Sequence, residues 1–367
     1  MLQKGLFVSH RGQSFCCDNN KIKHKEMSPK DFWNSDVRKN ALEQMHNDSP
    51  VKGCETCYHA EENRLTSSRT FYKPFDHLPT KPLPTMLDLD FSNFCNLKCV
   101  MCNPSRSSQH AKDVGEPVSA VPRQYLESLL EISDEVREIT IQGGEPSIME
   151  EFTIYFGELH KKGIAKNVNL QIISNLTNLN KGFMKLLPYF KRVRLSVSLD
   201  AYGKANDYIR WPSKFHAIEK NIGRILEIDT IKEVDILNSL TILSMFNYGE
   251  FLTWAKEIEV KHQKKDRNFG LTALKVFNPV HYSPFIAPES LKELYINDVK
   301  KFYQKSNFSK LWAKTEMMLL CKKLERSQPN KNQLNKLIQS VNKQEQERSV
   351  KIQDFIPNFH EHIQKSQ

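Results

Sequence analysis

From Met86 onward, short apolar runs alternate with amphipathic stretches. The runs 86–91 (MLDLDF), 138–142 (EITIQ), 168–173 (VNLQII), 193–199 (VRLSVSL), 236–243 (ILNSLTIL) and 271–277 (LTALKVF) have the length and composition of strands. Between them, apolar residues recur with a helical period, as in Tyr125, Leu126, Leu129, Leu130 and again in Phe215, Ile218, Ile222, Ile225. Strands that alternate with helices at this spacing predict a parallel βα array, an α/β fold. Six units are too few for a closed eight-stranded barrel. They suit a doubly wound sheet or an open partial barrel, and either places ligands at the C-terminal strand ends.

The flanks read differently. Residues 1–80 look irregular, cysteine-bearing and aromatic, and they run into a Pro-rich linker at Pro74, Pro79, Pro82 and Pro84. After about residue 286 the pattern turns helical and basic, with Phe302, Trp312, Met317, Leu320 and Leu324 placed to pack helices. The stretch Lys331 to Arg348, rich in Asn, Gln and Lys, is expected to be partly mobile. Three segments follow: 1–80, 85–285 and 286–367.

Charge sharpens that division. Of the net +10, residues 301–367 carry 13 Lys plus Arg against 6 Asp plus Glu. Such a tail is a solvated helical face, or else a landing site for an acidic substrate or nucleic acid. No nucleic-acid motif accompanies it. The mean hydropathy is −0.56, and no apolar run approaches the ~20 residues that span a bilayer. The N-terminus, with Lys4, His10 and Arg11, lacks the apolar stretch of a signal peptide. Cytoplasmic localisation without a membrane partner is the default expectation.

Eight cysteines in a reducing compartment do not read as a disulfide framework. Seven lie before residue 103, and only Cys321 lies beyond. Clustering of this kind points to metal ligation. Directly after the first predicted strand, Cys95, Cys99 and Cys102 stand at the spacing CxxxCxxC. Three thiolates on one short loop hold three irons of a cubane and leave the fourth open to an exogenous chelating ligand. Structural zinc would want four protein ligands. After the second predicted strand come Gly143, Gly144, Glu145 and Pro146. Glycines there let the backbone approach a ligand, and the carboxylate accepts hydrogen bonds from an ammonium group.

Together these motifs resemble the radical S-adenosylmethionine (SAM) superfamily, whose signature is CxxxCxφC in the loop after the first strand. The resemblance implies a partial (β/α)6 barrel at 85–285. It implies that Cys95, Cys99 and Cys102 ligate a [4Fe–4S] cluster whose fourth iron is chelated by SAM. Reduction by a donor such as flavodoxin or ferredoxin would split SAM into methionine and a 5′-deoxyadenosyl radical that takes hydrogen from substrate. The φ position is Met101, able to pack on the adenine. The Gly143-Gly144-Glu145-Pro146 segment would receive the methionine amine. Ser174 and Asn175 end the third predicted strand, and Ser198 and Asp200 end the fourth, ten residues before Arg210. By resemblance Ser174 and Asn175 lie near SAM, while Ser198, Asp200 and Arg210 hold its ribose and carboxylate, a carboxylate suiting the arginine fork.

Upstream, Gly12 to Cys17 has the spacing GxxxxC and is followed by Cys54-Glu55-Thr56-Cys57. The arrangement resembles the twitch and SPASM auxiliary-cluster modules of the same superfamily, here preceding the barrel. It implies a second [4Fe–4S] cluster on Cys16, Cys17, Cys54 and Cys57, with three protein ligands or four. A structural zinc knot is the competing reading of these four cysteines. The substrate expected is a peptide or small polar metabolite. A non-catalytic zinc protein whose basic tail binds nucleic acid is the rival for the whole chain, but it leaves the glycine-glutamate segment unexplained.

Overall fold

The computed structural model describes residues 3–17, 19, 23–63, 67, 69, 75, 77–304 and 309–364. The chain divides into two compact units that interleave along the sequence. The first takes Met1–Asn96, Pro104–Ile173 and Asn180–Val193, and the second takes Leu97–Asn103, Ser174–Leu179 and Arg194–Gln367.

In the first unit, β1 (Gly5–Ser9) turns back through His10 and Arg11 into β2 (Gly12–Ser14). The two strands pair antiparallel, with Ser9 opposite Gly12. Gly12 has φ +118°, and a Cβ there would fall 2.8 Å from the backbone of Lys25, so the turn requires glycine. Strand β1 then runs parallel to β3 (Met86–Asp90), which runs parallel to β4 (Glu138–Gln142) and that to β5 (Asn169–Ser174). The registers set Ser9, Asp90 and Gln142 side by side where their strands end. Leu87, Leu89, Ile139, Ile141, Leu170 and Ile172 are at most 1% exposed. The period of two sends the intervening Asp88, Asp90, Thr140 and Gln142 to the opposite face, which is polar.

The first 80 residues, read as irregular, thus contribute two strands, along with the helices Asp36–His46 and Glu55–Glu62. Of the expected linker, Pro74 lies outside the described residues. Pro82 carries the carbonyl that accepts the Trp33 indole N–H at 2.7 Å.

The second unit holds most of β6 (Arg192–Ser198) together with β7 (Ile231–Leu240) and β8 (Asn268–Lys275), in that order. Strands β7 and β8 are parallel, from Glu233 opposite Asn268 to Leu240 opposite Lys275. The six expected βα strands are therefore present, and the fold is mixed α/β with a mostly parallel set of strands. Both β7 and β8 start earlier than the apolar runs suggested. The extra residues of β7 include Lys232, Glu233 and Asp235, each of which has a partner outside its own strand. Arg194 Nε lies 2.9 Å from Glu233, and Thr272 donates to Asp235 at 3.1 Å.

The basic segment of the same unit forms helices Glu289–Gln304, Lys314–Arg326 and Lys331–Arg348. Met317, Leu320 and Leu324 are buried as expected, as is Trp312. The stretch expected to be partly mobile is one continuous helix, Lys331–Arg348, whose buried Leu334, Leu337 and Val341 form a single stripe.

Candidate functional site

In the first unit, the end of β4 lies against the segment that leads into Cys95. Gly143 has φ +84°, and a Cβ on it would sit 1.9 Å from Asp90 Oδ1. A Cβ on Gly144 would sit 2.2 Å from the Phe94 carbonyl oxygen, which also accepts the Glu145 N–H at 2.8 Å. Both glycines are thus required by close approach, not only by the turn. Glu145 is 1% exposed, and its carboxylate accepts the Ser147 N–H at 3.0 Å where Pro146 opens a short 3-10 turn. Cys95 is buried. Its N–H donates to Ser108 Oγ at 3.2 Å, and its carbonyl accepts the same hydroxyl at 3.0 Å.

Asp90, fully buried, lies near two arginines and a histidine that the sequence reading did not single out. Arg11 Nη2 stands 3.4 Å from it, Arg106 Nη1 3.5 Å and His10 Nε2 4.0 Å. His10 also reaches the Ser105 carbonyl at 3.2 Å. Burial lowers the His10 pKa, while Asp90 pulls it upward and Arg11 lowers it further. A carboxylate inside an apolar strand, directly before the cysteine triplet, was the available signal, since a buried charge demands partners.

The N-terminal cysteines belong to the same unit. Cys54 caps the Glu55–Glu62 helix, and the Cys57 N–H donates to its carbonyl at 3.0 Å. Burial pushes the Cys54 thiol up to about 11, with Cys16 and Cys57 adding to the rise, so these three stand within electrostatic reach of one another. Lys23 is brought down to about 8 by burial and by Arg11, against the pull of Cys16 and Cys17. It donates to Ser14 Oγ at 2.8 Å. Among the described residues no three His, Cys, Asp or Glu side chains stand grouped as a ready metal site. None of the eight cysteines is joined in a disulfide.

In the second unit, the loop bearing Cys99, Met101 and Cys102 is laced to the segment around Arg210. The Lys98 N–H donates to the Trp211 carbonyl at 2.6 Å, and the Val100 N–H to the Ile209 carbonyl at 2.9 Å. The Cys102 N–H closes a turn onto the Cys99 carbonyl at 3.0 Å. Cys99 is buried, whereas Met101 and Cys102 are half-buried. Arg210 is held by Asp200, its Nη2 donating to Oδ1 at 3.0 Å and its Nε lying 2.7 Å from Oδ2. Burial opposes the Arg210 charge. Asp200, Cys99 and Cys102 more than offset that, and its pKa rises. Burial raises the Asp200 carboxyl against the pull of Arg210 and of the Ser239 N–H, 2.7 Å away.

The remaining expected residues are near strand ends. Ser174 Oγ accepts the Leu176 N–H at 3.1 Å and Asn175 Oδ1 accepts the Thr177 N–H at 2.9 Å, so both side chains shape the turn after β5. Ser198 ends β6 and is 9% exposed. Of the loop residues past the last strand, Tyr282 is buried and bonded to Ser340 at 2.9 Å.

Cys95, Cys99 and Cys102 thus stand on one short stretch, and the charge of Arg210 interacts with Cys99 and Cys102. Residues 89–257 match the model of the Radical SAM superfamily. The sporulation killing factor maturation protein SkfB of Bacillus subtilis (strain 168) is 25% identical over 163 residues, 44% of this chain and 36% of that protein. The chain therefore spans little more than a third of that relative's length. SuiB of Streptococcus suis, solved with S-adenosylmethionine, aligns with a TM-score of 0.41 at 15% identity over 75% of this chain and 56% of that one. The methyltransferase TsrM from Kitasatospora setae, solved with cobalamin and a [4Fe-4S] cluster, gives 0.37 at 12% identity over 65% and 39%. Among the described residues, no helix is long and apolar enough to cross a membrane. Residues 89–257 are thus similar to the Radical SAM superfamily domain.

Proposed function

We propose that the chain is a radical SAM enzyme that modifies a peptide, with Cys95, Cys99 and Cys102 holding the SAM-cleaving [4Fe–4S] cluster. The observation that carries this is the docking of the 97–103 loop onto the segment of Arg210, whose charge is within electrostatic reach of Cys99 and Cys102. A fixed guanidinium there tolerates the negative charge of thiolate ligands and of a reduced cluster. When bound, cluster and cosubstrate supply the 5′-deoxyadenosyl radical that takes hydrogen from the substrate.

The chain's own residues bind, orient and exclude water. Gly143 and Gly144 admit the backbone of the β4 end to close quarters, and Glu145 with Pro146 receives the SAM amine. Met101 packs on the adenine. Ser174, Asn175 and Ser198 supply polar contacts at successive strand ends, while Asp200 locks Arg210 in place. Cys16, Cys17, Cys54 and Cys57 hold an auxiliary [4Fe–4S] cluster in the segment 1–80. The proximity of Cys54 to Cys16 and Cys57 supports it, with thiols that lose their protons as metal binds.

A peptide substrate is supported by the maturation role in the name of SkfB, across the shared 163 residues. A flavodoxin- or ferredoxin-class protein would supply the electron. Iron and acid-labile sulfide analysis after anaerobic reconstitution tests the ligand assignment. The expected result is two clusters' worth in the native chain, one after Cys54→Ala with Cys57→Ala, and one after alanine replacement of Cys95, Cys99 and Cys102. Zinc in place of iron in the native protein would contradict it.

A further inference from the structure

The Lys331–Arg348 helix ends on the cysteine loop. Its buried stripe of Leu334, Leu337 and Val341 fixes the helix face. The Tyr282 hydroxyl, bonded to Ser340 at 2.9 Å and accepting from Gln344 Nε2 at 2.6 Å, fixes its position along the axis. Ser349, in the left-handed conformation at φ 52°, terminates the helix one residue after Arg348. A cation in the last turn is also favoured by the helix dipole.

From that anchored end, two adjacent side chains reach the same loop. Arg348 donates from Nη1 to the Tyr208 carbonyl at 2.9 Å and from Nη2 to the Lys98 carbonyl at 3.4 Å. Its guanidinium carbon lies 5.0 Å from the Tyr208 ring centre and 5.3 Å from that of Trp211. Glu347 takes the other end of the same loop residue, 3.3 Å from Lys98 Nζ. Arg348 therefore bridges two backbone segments, 97–103 and the one that carries Arg210, which themselves touch through the Lys98 and Val100 N–H groups. Only a planar fork with several fixed donors spans two carbonyls in this way, and an ammonium does not. Arg348 is also within electrostatic reach of Cys99.

We propose that Arg348 is a positioning residue for the cysteine loop. The helix that delivers it acts as a clasp, setting both the geometry of the 97–103 loop and the positive charge beside Cys99. The effect on a cluster rests on the proposed function; the effect on the loop does not. A group that holds a ligand-bearing loop from outside acts through its hydrogen bonds, and loss of such partners commonly costs 10–100-fold in metal affinity or activity.

The test uses the full chain, with Arg348→Gln, Arg348→Lys and, as a charge control, the exposed Arg326→Gln. Hydrogen exchange on the apoprotein is the first readout. Arg348→Gln is expected to speed exchange at Lys98 and Val100 by about tenfold or more, the loss of a charge-assisted bond. Arg348→Lys should speed it too, whereas Arg326→Gln should match the native chain. The second readout is the midpoint potential of the reconstituted cluster. It is expected to fall in Arg348→Gln, because reduction adds negative charge that the guanidinium no longer offsets, and to recover in Arg348→Lys. Native exchange rates across 97–103 in Arg348→Gln would overturn the proposal whatever the iron content. Iron content of the native protein separately tests the cluster reading.

Discussion

Arg210 and Asp200 face each other as a two-pronged ion pair, 2.7 Å and 3.0 Å apart, with Asp200 fully buried. The helix Gly203–Ile209 separates them in sequence and brings the arginine back over the aspartate. A fork held in this way has its direction fixed before any ligand arrives, and Asp200 is itself braced by the Ser239 and Asn206 side of the same unit. Arg210 therefore carries a preset charge within electrostatic reach of Cys99 and Cys102.

Removing one partner leaves the other charge buried. Arg210→Met is expected to cost about 3–5 kcal/mol in a urea denaturation experiment. Asp200→Leu combined with Arg210→Met should recover much of that loss, because no lone charge remains. Equal and additive losses in the two single variants and the double would show that the pair is not coupled.

Gly143 offers a graded test of close approach. Gly115 also has positive φ, at +72°, but a Cβ there meets nothing within 4 Å. Gly115→Ala is expected to cost about 1–2 kcal/mol, the left-handed backbone penalty alone. Gly143→Ala adds a clash with Asp90 and should cost more, and should also weaken SAM binding as measured by calorimetry. Equal costs at the two positions would show that Asp90 yields freely.

His10 predicts an acid-sensitive stability. Its folded-state pKa lies below the ordinary value, chiefly through burial, so the unfolded chain takes up this proton first as pH falls. The stability from neutral His10 is complete above about pH 6.5 and is lost as pH falls from there through the folded pKa. His262 and His281 are lowered in the same direction, so the useful quantity is the difference between native protein and His10→Gln. That difference in denaturation midpoint should shrink between about pH 7.5 and about pH 5.5. A gap independent of pH would exclude the assignment.

The βα strands were legible because their apolar residues keep a strand's pattern: Ile139 and Ile141 alternate with polar neighbours through 138–142, which is also the observed β4. The start of β7 was hidden by Lys232, Glu233 and Asp235, whose charges are matched by partners that the sequence order does not reveal. Strand β1 was missed because five residues, GLFVS, carry no period long enough to read. The Lys331–Arg348 helix was masked by its Asn, Gln and Lys, which outnumber the Leu334, Leu337 and Val341 stripe. At the candidate site, the motifs at 95–102 and 143–146 are local and could be read directly. The Asp90 cluster joins residues 10, 11, 90 and 106 through the β1–β3 register, and Arg348 reaches Lys98 through tertiary packing. Neither leaves a trace in spacing.

The central claim is tested most directly by 5′-deoxyadenosine. The full chain, reconstituted anaerobically with iron and sulfide, would be given dithionite and SAM, and the product quantified by mass spectrometry. The account predicts 5′-deoxyadenosine from the native protein and none from the variant with Cys95, Cys99 and Cys102 all replaced by alanine. Equal product from both, or a native protein that binds zinc and takes up no iron, would contradict it.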